Sequence, residues 1–395
     1  MEPQQQEMKI IIASPSLNLL GGAQRACLHA ISALRKMNCK IVLATIDKTD
    51  WALVEAIFGD VSKPDEEMYL FSKMPEMPIV ALKQAFVALF YALYLSAIAA
   101  KNRKSLMINM GGELADNLGD VVYVNAVPVR LMHFLRGVQP KPGVQWKVYS
   151  RLFSMFLRFL GDAAGVIVAN SKFTQKVLSD CLGKKALVIN PPVESNKRLA
   201  HANPGKRKNV VITISRFRSA KGLEIIPEIA SYVRDCEFVV VGIADKESGQ
   251  CLKELFGEIE RLGVQRRVRV FSNKPHGFTL SALSTAKVFL HTQSTEAFGM
   301  SIVESMAAGC IPIVPRTGGP WIDILDCREG QYGFSYRSSA EAAAKIRLLL
   351  DDESLRSEVS VRAVERSVVF DSSVFEKKLL GVVEAVLSRR KRGSC

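Results

Sequence analysis

One stretch, residues 288–325, constrains the fold of this chain more than any other. It begins with an apolar run, Val288–Leu290, that is typical of a buried parallel strand. A polar loop and a helical pattern follow, and the helix is predicted to end at Gly309. Ile311–Val314 is a second apolar run, after which the loop Thr317–Pro320 leads into another helix. Strands and helices that alternate in this way form an open parallel α/β sheet, which binds ligands at the carboxyl ends of its strands.

Two acids flank the start of the helix in this stretch. Glu296 lies in the loop before the helix and Glu304 lies on the helix, with seven residues between them. The first turn, from Gly299 to Ser301, offers backbone N–H groups at the positive end of a helix dipole, where phosphate groups bind. Carboxylates accept paired hydrogen bonds from vicinal hydroxyls, so both acids suit a nucleotide sugar. The alternative is an ordinary helix with two solvated acids, which the flanking strands and glycine-containing loops disfavour.

Composition limits the domain number and the kind of partner. The chain has 395 residues, which predicts two domains, and a hydrophobic fraction of 48%, which is ample for two cores. Its formal net charge of +14 favours an anionic partner. No zinc-finger spacing or basic repeat supports nucleic acid, so we expect a phosphorylated substrate and an anionic membrane surface instead.

The cysteines and the N-terminus predict a cytoplasmic protein. The eight cysteines are scattered and form no C-x-x-C pair, so we expect neither a disulfide framework nor a zinc site. The first residues, MEPQQQEMK, are polar and lack the pattern of a signal peptide. We therefore expect a reducing compartment.

The N-terminal region opens with a strand–helix–strand unit. Lys9–Ala13 and Lys40–Thr45 are predicted strands, and the Gly21-Gly22 pair stands at the start of the helix between them. Glycines there let the backbone approach an anion closely, although such a pair is also common in simple turns.

Two later segments bear on membrane contact. Residues 79–100 form the most apolar run, which favours a helix that is either seated in a membrane or buried in the core, with a full membrane crossing as the less favoured alternative. Trp146–Leu160 mixes Arg and Lys with aromatic and aliphatic residues, as interfacial helices do. An ordinary helix packed on the sheet explains the second pattern equally well.

Cations mark the start of the second domain. Arg216 and Lys221 follow the predicted strand Asn209–Ile214, where two positive charges can bind a diphosphate and stabilise a departing nucleotide. Solvated surface cations are the alternative.

Composition shifts give the domain boundaries. We predict an N-terminal Rossmann-like domain over residues 1–193 and a linker over 194–208, which is rich in Lys, Asn, Pro and Gly. A C-terminal Rossmann-like domain is predicted over 209–372, followed by a helix and basic tail over 373–395.

The motifs EAFGMSIVESMAAG, SRFRSAK and GGPWIDI resemble those of family 4 glycosyltransferases, which are retaining enzymes with the GT-B fold of two Rossmann-like domains. The last two motifs are most similar to those of the α-1,2-mannosyltransferases that extend dolichol-linked oligosaccharides, and we expect a prokaryotic or archaeal relative of these enzymes. The resemblance implies two parallel-sheet domains that face each other across a cleft, and a C-terminal helix that returns to the first domain. It also implies catalysis without a metal ion or another cofactor, in agreement with the lack of an Asp-x-Asp motif.

The resemblance also assigns roles to residues. Glu296, Arg216 and Lys221 are expected to be catalytic. The residues expected to bind the donor are Gly21, Gly22, Asn273, Phe298, Gly299, Met300, Ser301, Glu304, Gly318 and Gly319.

The family often has a histidine after a strand of the first domain, where this chain has Asn125. An amide can bind a sugar hydroxyl but cannot carry a proton. Asn125 and the downstream His133 are therefore candidates for contact with the acceptor sugar.

The expected activity is transfer of a hexose, mannose from GDP-mannose first of all, to a lipid-linked or glycan acceptor at the cytoplasmic face of a membrane. One alternative is transfer from a UDP-sugar by the same fold. Others are an epimerase, a phosphorylase, or a membrane protein that binds a nucleotide sugar without turnover.

Overall fold

In a computed structural model, the structure describes residues 8–75, 80–128, 144–194 and 207–393. The chain divides into two units. One comprises Met1–Pro192 with Ser372–Cys395, and the other comprises Val193–Asp371. Residues 195–206, most of the predicted linker, lie outside the described part.

The first unit is built on a parallel sheet that has seven strands among the described residues. Their spatial order is β3-β2-β1-β4-β5-β6-β7, so the order reverses between β1 and β4. The central strands are apolar and buried because helices cover both faces of the sheet. The strands are β1 (Lys9–Ala13), β2 (Lys40–Asp47), β3 (Glu66–Phe71), β4 (Leu106–Asn109), β5 (Leu118–Val124), β6 (Ala163–Ala169) and β7 (Leu187–Val188).

Five helices of the first unit precede the second unit in sequence, within the described residues. They are α1 (Gly22–Arg35), α2 (Trp51–Phe58), α3 (Val80–Lys101), α4 (Val144–Phe159) and α5 (Lys172–Leu182). Ser171 caps α5 by accepting a hydrogen bond from Thr174 N–H, as its position before the helix predicts. The sequence analysis assigned no element to helix α2 or strand β3.

Helix α3 satisfies the length and apolarity of a membrane span over Lys83–Lys101. One of its faces nevertheless packs in the core beside the sheet, through residues that include Tyr91 and Leu95. Leu89 and Leu93 are 38% and 45% exposed. The helix is therefore seated on its own unit along one side only.

The second unit contains a parallel sheet with six strands in the described part of the chain, in the order β10-β9-β8-β11-β12-β13. This order reverses between β8 and β11. The strands are β8 (Lys208–Arg216), β9 (Glu237–Ile243), β10 (Val268–Ser272), β11 (Ala286–Leu290), β12 (Ile311–Pro315) and β13 (Phe334–Tyr336). The helices are α6 (Ile226–Tyr232), α7 (Gly249–Arg261), α8 (His276–Thr285), α9 (Met300–Ala307), α10 (Ser339–Asp351) and α11 (Glu353–Ser367).

The stretch 288–325 folds as predicted with one difference. Helix α9 ends before Gly309, whose φ of +83° is favourable for glycine. After the Gly318-Gly319 pair, the expected helix is a short π-helical turn, Pro320–Ile324. Pro320 at its start has no backbone N–H, so it cannot donate a helical hydrogen bond to a preceding residue.

The last helix, α12 (Ser372–Gly393), belongs to the first unit. Its apolar residues share a core with α1, and Phe375 lies edge-on to Tyr123 of β5 with ring centroids 6.0 Å apart. Glu376 pairs with Lys36 at 2.5 Å, and Arg390 pairs with Asp120. The predicted fold class, with two parallel-sheet domains and a C-terminal helix that returns to the first, is confirmed.

Candidate functional site

The loops after β8 and β11 meet where the strand order of the second sheet reverses, which is the usual ligand site of such sheets. Thr292 Oγ donates a hydrogen bond of 2.6 Å to the carbonyl of Lys221. Gly222 has a φ of +65°, and a Cβ there would lie 3.2 Å from the Thr292 carbonyl. A glycine at this position therefore allows the two loops to come together.

This contact brings Lys221 to Glu296. The Lys221 ammonium group donates to Glu296 Oε2 at 2.8 Å and to Gln293 Oε1 at 2.5 Å. Burial alone would raise the pKa of Glu296, but the charge of Lys221 and its hydrogen bond outweigh burial and lower this pKa to about 2. Two of the three predicted catalytic residues, Lys221 and Glu296, thus form an ion pair in which their side chains are 24% and 19% exposed.

His291 is a site residue that the sequence analysis did not identify. It directly follows β11 and is buried, and its Nε2 lies 4.0 Å from Glu296 Oε2. This nitrogen has no hydrogen-bond partner among the described residues. Burial and the charge of Lys221 together lower the pKa of His291 to about 4, so the imidazole is neutral at pH 7. The sequence signal that could have identified His291 is its position directly after a predicted strand.

The start of α9 has the geometry of an anion site. Gly299 precedes the helix with a φ of +98°. The first helical turn leaves the N–H groups of Met300 and Ser301 without intrahelical acceptors, at the positive end of the helix dipole. The side chain of Phe298, which was expected to bind the donor, is instead buried and lies against Phe370 with ring centroids 5.2 Å apart. Contact of Phe298 with a donor stays a prediction.

Gly318 and Gly319 pack against the loop that carries Glu296. Gly319 N–H donates to the Glu296 carbonyl at 2.9 Å, and a Cβ on Gly319 would lie 1.9 Å from the Ala297 carbonyl oxygen. Gly318 has a φ of +72°. The two glycines therefore hold the Glu296 loop in place, and their direct contact with a donor stays a prediction.

Arg216 and Asn273 lie at the carboxyl ends of β8 and β10. Arg216 is exposed, whereas the nearby Arg218 is held by Asp245 in a two-pronged ion pair at 2.7 and 2.5 Å. Asn273 has a φ of +53°, and its amide both accepts from and donates to the backbone of Ala244. Its side chain joins two loops, and its contact with a nucleotide base stays a prediction.

Glu304 lies on α9 and is partly exposed. It lies one helical turn beyond the start of the helix, as its spacing from Glu296 predicts. Within the described ranges, no group of three or more His, Cys, Asp or Glu side chains is placed to hold a metal ion.

The candidates in the first unit lie at the carboxyl edge of its own sheet. Gly21 N–H donates to the Gln24 side chain at 3.0 Å, and Gly22 begins α1. Asn125 follows β5, and its amide donates to the Met110 carbonyl after β4. His133 lies outside the described residues.

Comparisons with known proteins agree with this arrangement. Residues 196–366 match the family model described as glycosyl transferases group 1. The chain is 25% identical over 266 residues to the GDP-Man:Man(3)GlcNAc(2)-PP-Dol alpha-1,2-mannosyltransferase of Dictyostelium discoideum, and 26% identical over 257 residues to that of Homo sapiens. These alignments cover 62% and 60% of this chain but only 52% of each relative. The chain thus spans about half the length of the relatives it matches.

Solved structures share the fold. Sucrose-phosphate synthase from Thermosynechococcus elongatus aligns with a TM-score of 0.74 and 16% identity, over 97% of this chain and 100% of that one. Anabaena HepE in complex with UDP-glucose aligns with a TM-score of 0.70 and 18% identity, over 96% and 100%. The chain therefore shares the two-domain fold of these structures, and its residues 196–366 match the model of group 1 glycosyltransferases.

Proposed function

We propose that this protein is a retaining hexosyltransferase that moves mannose from GDP-mannose to a lipid-linked glycan. The observation that carries the proposal is the Lys221–Glu296 pair, which lies at the point of strand-order reversal together with the start of α9. The relatives named as GDP-mannose-dependent enzymes support the choice of donor.

Charge on the leaving group is the main barrier that these residues lower. When a donor binds, its diphosphate competes with Glu296 for the Lys221 ammonium group, while the first turn of α9 contributes two more donors. Arg216, which is exposed at the end of β8, is available to the same phosphates. Preorganised cations and backbone N–H groups of this kind stabilise a departing anion strongly.

The carboxylates then orient the donor. Once Lys221 turns to phosphate, Glu296 has an oxygen free to accept hydrogen bonds from hexose hydroxyls, and the neutral imidazole of His291 lies beside it. Glu304 is expected to accept from the ribose hydroxyls.

The resemblance implies that the acceptor attacks from the face that the nucleotide leaves. The bond from the sugar C1 to the phosphate oxygen breaks with its electron pair going to the diphosphate. The acceptor oxygen bonds to C1, and its proton passes to the departing phosphate.

An exposed apolar stripe on helix α4 supports a lipid-linked acceptor. Helix α4 buries one face, which includes Phe153 and Leu157, in the first unit. Its opposite side exposes apolar side chains at helical spacing, with exposures of 53%, 61%, 61% and 87% for Val148, Leu152, Met155 and Phe159.

Cations border this apolar stripe. Lys147, Arg151 and Arg158 are exposed on the same helix, and the chain carries a formal net charge of +14. An apolar stripe between cations suits an anionic bilayer surface, so peripheral membrane association at the cytoplasmic face is part of the proposal.

The test is a thermal-shift and hydrolysis screen of the purified protein with GDP-mannose, UDP-glucose and UDP-N-acetylglucosamine. A ligand at 100 times its Kd stabilises the folded state by about 2.7 kcal/mol. Selective stabilisation by GDP-mannose, with mannosyl transfer or slow hydrolysis, is the expected result. Selectivity for a UDP-sugar would overturn the choice of donor, and binding without turnover would overturn the enzymatic role.

A further inference from the structure

The first unit contains an unexplained acid at the carboxyl edge of its sheet. Glu113 follows β4 in the sequence Met110-Gly111-Gly112-Glu113. Strand β4 lies between β1 and β5, and the strand order reverses between β1 and β4. This is the point at which open parallel sheets bind ligands, and the sequence analysis assigned nothing to Glu113.

The loop that carries Glu113 is tightly fixed. The buried side chain of Asn109 donates to the carbonyls of Ala115 and Leu118 at 2.7 and 2.9 Å, and its Oδ1 accepts from Gly111 N–H at 2.9 Å. Tyr91 OH donates to the same Asn109 oxygen at 2.7 Å. A loop held by so many hydrogen bonds presents its next side chain in a defined position.

Two glycines allow this loop to pack against the ends of the neighbouring strands. A Cβ on Gly111 would lie 2.7 Å from Pro15 Cδ in the loop after β1. A Cβ on Gly112 would lie 2.8 Å from the carbonyl oxygen of Tyr123 in β5. The ends of β1, β4 and β5 therefore converge around Glu113.

The carboxyl group of Glu113 is only partly satisfied. It accepts hydrogen bonds from its own backbone N–H and from that of Asn125. Its Oε2 is buried and has no hydrogen-bond partner within the described part of the chain. Burial, opposed by the two backbone N–H groups, raises the pKa of Glu113 to about 7. A buried carboxyl oxygen without a hydrogen bond destabilises the folded protein, so a ligand that donates a hydrogen bond to it removes this unfavourable free energy.

We propose that Glu113 binds the acceptor sugar, with a carboxyl oxygen accepting a hydrogen bond from one of its hydroxyl groups. This inference rests on the proposed glycosyltransferase function. The side chain is partly exposed, and the terminal torsion of Glu has a broad two-fold preference, so either oxygen can turn toward a ligand at the sheet edge.

Asn125 contributes to the proposed sugar site by positioning Glu113. Its N–H holds one side of the Glu113 carboxyl group, while its amide is tied to the Met110 carbonyl. Asn125 thus fixes Glu113, and Glu113 supplies the ionisable group that an asparagine cannot. The pair of residues is matched to a polyhydroxylated acceptor rather than to an anion, because a carboxylate repels phosphate.

The test compares Glu113→Gln, which is isosteric, with Glu67→Gln. Glu67 accepts from Thr49 N–H and the Trp51 indole in the same unit and serves as the matched control. Binding of methyl α-mannopyranoside is measured by saturation-transfer NMR, which requires no turnover. We expect the wild type and the control to bind it, and Glu113→Gln to bind at least about tenfold more weakly, the effect of about 1.4 kcal/mol.

A kinetic measurement separates the acceptor from the donor. With GDP-mannose and Man(3)GlcNAc(2) linked through diphosphate to a short prenyl chain, Glu113→Gln should raise the acceptor KM at least about tenfold while the thermal shift by GDP-mannose stays unchanged. The acceptor KM of the wild type should vary with pH near 7, and that of the variant should not. Equal sugar binding by the wild type and Glu113→Gln, or no sugar binding by either, would overturn the inference. A wild type that binds the sugar but neither binds nor hydrolyses a nucleotide sugar would instead overturn the proposed function.

Discussion

Lys221 Nζ lies 2.8 Å from Glu296 Oε2, although the two residues belong to loops that follow different strands. In the pair the two charges neutralise each other. In the proposed function they separate, so that Lys221 contacts the phosphates of a nucleotide sugar and Glu296 contacts its hexose. A donor must therefore exchange the Lys221–Glu296 contact for its own contacts.

Lys221→Ala tests the leaving-group role. Developing negative charge would be left without its main cation, so we expect turnover of GDP-mannose to fall on the order of 10²–10³-fold, as when an oxyanion donor is removed. Lys287→Ala is the control, because Lys287 pairs with the Asn209 side chain in the same unit and has no proposed role. Normal turnover in Lys221→Ala would contradict the assignment.

The same variant also leaves Glu296 without its ammonium partner. The pKa of Glu296 should then rise above its present value of about 2, since the charge of Lys221 is the chief cause that lowers it. A carbon-13 titration of labelled glutamate would detect the change, and an unaltered Glu296 titration would mean that the ion pair does not form in solution.

Glu304→Ala tests the ribose contact. A hydrogen bond to a charged group contributes roughly 1.5–3 kcal/mol, so we expect donor Kd to rise by roughly one to two orders of magnitude. Calorimetric titration with GDP-mannose measures this directly. Glu358→Ala is the control. Glu358 forms an ion pair with Arg362 on α11 and has no proposed role in donor binding. Unchanged donor affinity in Glu304→Ala would argue against a ribose contact.

The sequence predicted the strands around the donor site well because their apolar runs are local signals. Val288–Leu290 and Ile311–Val314 both lie inside the observed β11 and β12. The start of α9 could be predicted from an equally local signal, since Gly299 precedes an amphipathic run. Strand β3, by contrast, contains Glu66, Glu67 and exposed Tyr69 at the sheet edge, so it lacks the apolar pattern of the central strands.

The partners of individual side chains could not be predicted from the sequence, because they depend on packing between distant segments. Lys221 and Glu296 are brought together only when Gly222 lets one loop approach Thr292. His291 is buried in part because Tyr336 of β13 hydrogen-bonds to its carbonyl. Phe298 follows a polar loop, and only its contact with Phe370 reveals it as a core residue.

The proposed membrane association depends on the apolar stripe of α4. Phe159→Ser removes its most exposed apolar residue, and burial of such a side chain contributes roughly 1.5–3 kcal/mol. We expect at least about tenfold weaker binding to vesicles of anionic lipid in a sedimentation assay, with no change in Tm. Leu348→Ser, which alters an exposed leucine of α10 in the other unit, is the control. Equal binding by both variants would exclude α4 as the contact.

Glu113 should make stability depend on pH. Its pKa is about 7 in the folded protein and near 4.5 when unfolded, so the folded state holds the extra proton between these values. Stability from this group is therefore lost as pH rises from 4.5 through 7. Glu113→Gln should raise the free energy of unfolding at pH 8 relative to the wild type, by an amount on the order of 1–3 kcal/mol, and should do little at pH 4. Urea unfolding at the two pH values measures the difference, and a variant that is no more stable at pH 8 would show that the carboxyl group is not held in this way.

His291 and Glu296 should weaken the protein in two separate ranges of acid pH. The pKa of His291 falls from 6.5 to about 4 on folding, so the unfolded state takes up a proton first and stability falls as pH drops from 6.5 toward 4. The pKa of Glu296 falls from 4.5 to about 2, so its contribution is lost between 4.5 and 2.

His291→Gln should remove the first loss and retain the second, because the amide does not titrate. Urea unfolding of the wild type and this variant, measured at intervals from pH 7 to pH 4.5, compares their slopes over the range in which His291 titrates, while the contribution of Glu113 is common to both proteins. Equal slopes in the wild type and His291→Gln would mean that folding does not lower the pKa of His291, so that the imidazole beside Glu296 is protonated below pH 6.5 in the folded protein. In that case Glu296 would be balanced by two cations before any donor binds.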